Sequence, residues 1–185
     1  MFRMSRTDRR SWREARTLSD LGELTALWLE GRIGSQPGYA PGYGPDPETV
    51  PLIPVLAAAN RSGYLTTASQ PGEDGPSSRG ERWEQRAAVE GHVADRALLD
   101  RLVRDARRAG LLTSVAAGHI VVTRVDGRDY TAFGLELKRR DMNLAWAGIS
   151  HQARAEVDQS TRLTIVDPTY GPSDRLWRAL AAATR

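Results

Sequence analysis

Apolar residues recur along this chain with two different periods, and the change from one to the other marks its elements. Thr17-Leu-Ser-Asp has the spacing of a capping box. Leu21, Leu24 and Trp28 then return at helical intervals until Gly31 supplies a stop, which predicts a helix over 18–30. The next stretch, GRIGSQPGYAPGYGPDPE, holds too much glycine and proline for a helix or a central strand, so a long surface connection is expected. Residues 50–61 are apolar and alanine-rich, with Pro51 and Pro54 suited only to a first turn and Gly63 placed to end a second helix. Tyr64, Thr66 and Thr67 favour a strand over 64–69, stopped by Pro71-Gly72. Residues 73–80 read as polar loop. WEQRAAVEGHV then puts Val89, Gly91 and Val93 on one face of a second strand.

Asp95 caps the best-patterned helix of the chain, 95–108, whose apolar face is Leu98, Leu99, Leu102, Val103 and Ala106. LLTSVAAG and HIVVTRVDGRDYTAFGLEL follow as strands, and Asp126-Gly127 between alternating segments signals a hairpin. The remainder predicts a helix over 150–158, a strand RLTIVD, a turn over 168–171, and a last helix from Asp174. Ser173 is its expected N-cap, and Leu176, Trp177 and Leu180 its buried face. Helices on one face of an antiparallel or mixed sheet bury all these stripes, so the expected class is α+β, with a ferredoxin-like strand-helix-strand core as the candidate arrangement.

Charge alters this picture only at one end. The formal net charge is +3, and residues 1–16 carry six arginines against Asp8 and Glu14. The basicity is therefore a segment, and the body is nearly neutral. Residues 1–16 are expected as a flexible basic arm that carries Trp12, and 17–185 as a single α+β domain. Lys138 is the only lysine, a skew that fits the codon use of a GC-rich genome better than selection for phosphate contacts. Hydrophobic residues at 40% and charged residues at 26% suit a soluble protein, with no apolar run of membrane-spanning length and hence no membrane partner. The basic N-terminus has no apolar signal region and the chain has no cysteine, so the cytoplasm is the expected compartment.

The tetrapeptide Ser-Gln-Pro-Gly occurs twice, at 35–38 and 69–72, in flanks too different for a structural repeat. Pro-Gly at its centre suits a type II turn, which accounts for the first copy. The second copy ends a strand rich in hydroxyls, and Thr66, Ser69 and Gln70 there stand as a site or as a turn. The succession TLSDLGELTALWLEG, NRSGYLTTASQPG, tryptophan followed by QRAAVEG, and VDPTYGPSDRLW resembles an uncharacterised domain family of actinomycetes, over most of the chain after the basic segment. That resemblance implies no activity, but makes these segments better site candidates than an arbitrary loop.

Phosphate-loop, dinucleotide, nucleophile-elbow and zinc-protease motifs are missing, and the lack of cysteine excludes thiol catalysis and thiolate zinc sites. His92, His119 and His151 are too scattered for a metal site; no metal and no cofactor are expected. His92 shares a strand face with Glu90 and is placed to face a pocket with Gln70. Asp167 ends a strand, where a carboxylate acts as a base or caps a turn, and the turn is favoured. Trp83 beside Arg86 offers a stacking platform for a planar ligand, against the commoner role of rim packing. Trp28, Trp146 and Trp177 are assigned to helix packing. Three functions compete. The first is a small-ligand-binding domain for a nucleotide-like or other polar metabolite, using Thr66, Ser69, Gln70, Trp83 and Arg86. The second is a hydrolase or transferase using Asp167, His92 or Glu90 on the same surface. The third is an interaction module in which Arg3, Arg6, Arg9, Arg10, Arg13 and Arg16 contact nucleic acid. The ligand-binding reading ranks first, because polar clustering is visible and a complete catalytic set is not.

Overall fold

The computed structural model describes residues 4–136 and 138–185. Its first element, α1 (Arg6–Glu14), lies where an unpacked arm was expected. Ser5 caps it by accepting the Asp8 N–H at 3.0 Å, and Trp12, only 1% exposed, is driven into an apolar cluster with Leu18, Leu21, Leu65 and Trp146. One large aromatic side chain can bury enough surface to hold a nine-residue helix whose other positions are mostly polar. The average charge of the segment concealed this. Arg3 lies outside the described residues.

The capping box forms as the spacing predicts. Thr17 Oγ1 accepts from Asp20 N–H, Asp20 Oδ2 accepts from Thr17 N–H, and α2 runs Leu18–Leu29. The second helix starts differently from its prediction. Pro47–Leu52 is a 3-10 helix, and α3 proper is Ile53–Arg61, because Pro51 has no N–H to join an α-helical ladder while Pro54 fits the first turn. α2 and α3 approach so closely that a Cβ at Gly22 would sit 2.4 Å from Asn60 O. Asn60 is fully buried and joins α3 to the next strand: its Nδ2 donates to Leu56 O at 2.8 Å and to Thr66 Oγ1 at 2.7 Å, and its Oδ1 accepts Thr66 N–H at 3.0 Å.

The strands are β1 (Tyr64–Gln70), β2 (Glu73–Pro76), β3 (Arg82–Val93), β4 (Leu112–Val115), β5 (Ile120–Val125), β6 (Arg128–Phe133) and β7 (Thr161–Tyr170). They form one antiparallel, curled sheet in an α+β fold, and β3 is shared by all its parts. The C-terminal half of β3 pairs with β1 on one side and β7 on the other; its N-terminal half pairs with β2 and β5. Helix α4 (Arg96–Arg108) carries the chain from β3 to β4, and β7 lies between these two strands, so β3 and β4 are parallel in a split strand-helix-strand unit. Two strands are longer or newer than the pattern predicts. Residues 73–76 pair with 82–85 as β2, an outer strand on which Pro76 is tolerated. β7 continues through Pro168 to Tyr170, the register with β3 shifting between Arg86 and Ala88 to accommodate it. α5 (Arg139–Ala145) buries no side chain and left no apolar period to read. α6 (His151–Gln159) and α7 (Arg175–Ala183) complete the chain, with Asp174 at the N-cap position of α7 and Ser173 Oγ accepting Arg175 N–H.

Alternation along β3 divides the core. Ala87, Val89 and Val93 face α2, α3, α4 and α7, whereas Ala88 faces Val122 and Val166 under the β5–β6 hairpin. Leu65 meets Trp12 and α6 on the side opposite the main helical layer. Leu102, 1% exposed, sits in the main layer, so Leu102→Ala is expected to destabilise by about 2–5 kcal/mol. Trp12→Ala is expected to destabilise by about 3–5 kcal/mol in chemical denaturation, and an unchanged midpoint would return 4–16 to an unpacked arm.

Candidate functional site

The five residues singled out as a ligand site divide between two sides of the sheet. Gln70, in register with Ala88, turns toward the hairpin, where its Nε2 donates to Arg86 O at 3.0 Å and to Val122 O at 3.3 Å. The Arg86 guanidinium joins it there, donating from Nη1 to Val121 O at 3.0 Å and lying 4.2 Å over the Tyr170 ring. Ser69, in register with Val89, belongs to the opposite, helical side, and Thr66 is tied to Asn60. Trp83, three positions from Arg86 on an alternating strand, donates its indole N–H to Gln85 Oε1 at 3.2 Å and packs edge-on against Tyr130. Gln70 and Arg86 are thus brought together but covered by β5, with Trp83 and Ser69 elsewhere.

The carboxylates and the histidine are held in structural bonds. Asp167 is fully buried: Oδ1 accepts Thr169 N–H at 3.0 Å, Oδ2 accepts the Ser173 hydroxyl at 2.7 Å, and Arg175 Nη1 lies 3.6 Å away. Glu90 pairs with Arg162 at 3.2 Å and accepts Gly134 N–H at 2.9 Å, which fastens the hairpin end to the sheet. His92 lies opposite Leu65 on β1, five residues before Gln70, with its Nδ1 2.9 Å from Ser160 Oγ. Burial, and then the Arg162 charge, push its pKa down from 6.5 to about 4. An unfolded chain takes that proton near pH 6.5 and the folded one only near pH 4. Stability is therefore complete above pH 6.5 and falls by about 3 kcal/mol as pH drops to 4. His92→Asn is expected to flatten the denaturation midpoint between those pH values, and parallel curves for variant and wild type would contradict the assignment.

A cleft lies on the helical side, at the bulge of β1. Register shifts between Thr66 and Ala68, so Thr67 is the extra residue, and Thr66 through Ser69 form one wall. Thr25, Trp28 and Leu29 of α2 and Leu56 of α3 form the floor. The Gly/Pro-rich connection closes over them with Gln36, Tyr39, Pro45 and Asp46. The cavity is about 220 Å³. The first Ser-Gln-Pro-Gly makes its roof as the predicted type II turn: Tyr39 N–H donates to Gln36 O at 3.3 Å and Gly38 takes φ +77°. The second copy uses its glycine otherwise. Gly72 has no positive φ, but a Cβ there would lie 2.0 Å from Gly171 O, so the residue serves close strand approach. The two copies meet across this cleft, the first as roof and the second as the end of its wall.

Two polar atoms distinguish the cavity. Thr25 Oγ1 and Gln36 Oε1 are buried without a hydrogen-bond partner, and both residues line it. An unmet buried acceptor or hydroxyl costs about 1–3 kcal/mol, and both atoms lie inside the cleft's walls rather than on its open surface. Tyr39 stands edge-on to Trp28, ring centroids 5.0 Å apart. Burial, followed by the hydrogen bond to Asp46, pushes its phenol up to about 12, so it remains a neutral hydroxyl. The sequence reading missed Thr25, Gln36, Tyr39 and Asp46. The signal available for them was the run of tyrosines and turns directly after Trp28.

Fold and cleft together define an α+β domain with a small polar cavity between a bulged strand and a turn-rich roof. The chain belongs to the family described as Domain of unknown function (DUF6919), whose model matches residues 7–185. The match begins inside α1, so the helix that anchors Trp12 is part of the family domain. No curated protein matches the chain. Among the described residues no helix is long and apolar enough to cross a membrane, and no group of three or more His, Asp or Glu is placed to hold a metal ion.

Proposed function

We propose that this domain binds a small polar metabolite in the cleft beneath the first Ser-Gln-Pro-Gly turn. The observation that carries this reading is the cleft itself, a space of about 220 Å³ whose apolar floor faces the polar groups of a bulged strand and a turn-rich roof, with Thr25 and Gln36 among its lining residues. A binding site gains specificity from the polar groups on its lining, because a ligand lacking the matching group leaves them unmet. The cavity volume falls below the roughly 300–1,000 Å³ of clefts that hold drug-sized molecules, which favours a compact ligand. No arginine, lysine or histidine lines it, and this weighs against a phosphate-bearing nucleotide. Trp28, Leu29 and Leu56 give it an apolar floor, in keeping with clefts that use few polar groups to fix orientation.

Site residues and structural residues respond oppositely to removal of their polar atoms. Thr25→Val keeps the β-branched shape and removes the unpaired hydroxyl; Gln36→Met keeps length and removes the amide. Both variants are expected to denature at or slightly above the wild-type midpoint, within about 1 kcal/mol. Any metabolite that raises the wild-type melting temperature is expected to lose that effect in both. Loss of well over 1 kcal/mol in each unliganded variant would assign these atoms to the fold and contradict the binding reading.

A further inference from the structure

Packing decides which side chains of α1 reach solvent. Asp8, Trp12 and Ala15 are buried at helical intervals, Asp8 against Gly34 N–H and the other two in an apolar cluster. Arg6, Arg9, Arg10 and Arg13 are left exposed. Their i, i+3, i+4, i+7 spacing sets them on one outward stripe, where they line a single open space with Glu14.

This stripe is where the chain keeps its net charge. Residues 4–16 hold five arginines against Asp8 and Glu14, an excess equal to the formal +3 of the whole chain. Arg10 pairs with Glu14 at 2.8 Å and Arg9 donates to Met4 O at 3.3 Å, but Arg6, Arg9 and Arg13 have no carboxylate within 4 Å among the described residues. Other helices compensate such charges: Arg96, Arg104 and Arg108 of α4, Arg154 of α6, and Arg175 and Arg178 of α7 each have a carboxylate in that range. Asp20 and Glu156, held on the N–H groups of Arg16, Thr17 and Leu18, lie past the C-terminal end of the stripe.

What the stripe lacks selects its partner. The apolar side chains of α1 point inward, so its outward face has nothing to insert into a bilayer and no apolar anchor for a protein interface. It also has no aromatic ring on which an unpaired base could stack. What remains is a row of planar, forked donors suited to phosphate oxygens. From Arg6 to Arg13 the helix rises about 10 Å, roughly three nucleotide steps along one strand of a duplex. Because Trp12 already holds α1 against the body, presenting these arginines requires no ordering of the segment.

We propose that α1 is a contact for the phosphodiester backbone of duplex DNA, made by Arg6, Arg9, Arg10 and Arg13 without reading base sequence. The stripe lies on the face of α1 opposite Asp8 and Trp12, and the proposal does not depend on ligand binding in the cleft.

Fluorescence anisotropy with the full chain tests it, using two labelled duplexes of about 20 base pairs and unrelated sequence, from about 20 to 150 mM salt. Both are expected to bind equally, and the logarithm of the association constant to fall against that of salt with a slope of about −3. Arg6→Gln, Arg9→Gln and Arg13→Gln together are expected to weaken binding about tenfold or more at the lowest salt and to bring the slope to about −1, with the melting temperature unchanged. Arg96→Gln, Arg104→Gln and Arg108→Gln remove the same charge from α4 and are expected to leave the affinity within about twofold. No binding by the wild-type chain, a marked preference for one duplex, an α1 variant that binds like wild type, or equal weakening by the α1 and α4 variants would each overturn the proposal. So would displacement of the duplex by phosphatidylserine vesicles or poly-glutamate as effectively as by unlabelled duplex at equal charge concentration, which would assign the stripe to a membrane or to an acidic protein.

Discussion

Two indole N–H groups hold the part of this molecule that regular secondary structure does not. The connection over 31–46 has no ladder of its own, so each of its buried backbone groups needs an individual partner. Trp12 Nε1 donates to Ser35 O at 2.9 Å and Trp28 Nε1 donates to Tyr43 O at 3.1 Å, one bond toward each end of the roof. Two lesser bonds lie beside them: Gly34 N–H reaches Asp8 Oδ2 at 3.2 Å, and Gly42 N–H reaches Ser35 Oγ at 3.0 Å. α1 is therefore a brace for the cleft. Its arginines face outward, and its Asp8 and Trp12 face the roof.

The sheet positions the opposite wall by a different constraint. β3 must supply side chains to two layers and backbone pairing to four strands, which leaves its neighbours little freedom of register. A Cβ at Gly91 would lie 2.2 Å from Leu65 O, so β1 runs unusually close to β3 there. The strand regains its path through the bulge at Thr67. That bulge, with Asn60 fastening Thr66, sets Thr66 to Ser69 as the cleft wall. Gln70, one residue on, is sent through to the other side.

Much of the frame was legible because local chemistry and tertiary packing agree in it. The box at Thr17, the apolar face of α4, the Asp126-Gly127 hairpin and the first Ser-Gln-Pro-Gly turn each carry their own explanation in a few residues. β2 was not legible, since Glu-Asp-Gly-Pro has no strand propensity and is ordered by pairing with β3 alone. α5 lacked a buried face, and α1 was hidden by its arginines around one decisive tryptophan. The cleft was half legible. The hydroxyl-rich end of β1 is indeed a cleft wall, but period-2 alternation separates Ser69 from Gln70, and strand geometry separates Trp83 from Arg86. Thr25 and Gln36 matter because their polar atoms lack partners, a property of the folded chain that no spacing records.

The claim on which the cleft depends is that the Trp12 indole fixes its roof, and hydrogen exchange in Trp12→Phe tests it most directly. Phenylalanine retains an aromatic ring in the cluster and removes the N–H bonded to Ser35. The expected result is lost protection at the Gly42 and Tyr39 amides, with the amides of α4 still protected. Unchanged protection at Gly42 and Tyr39 in a variant that remains folded would show that the roof holds itself, and would contradict the account.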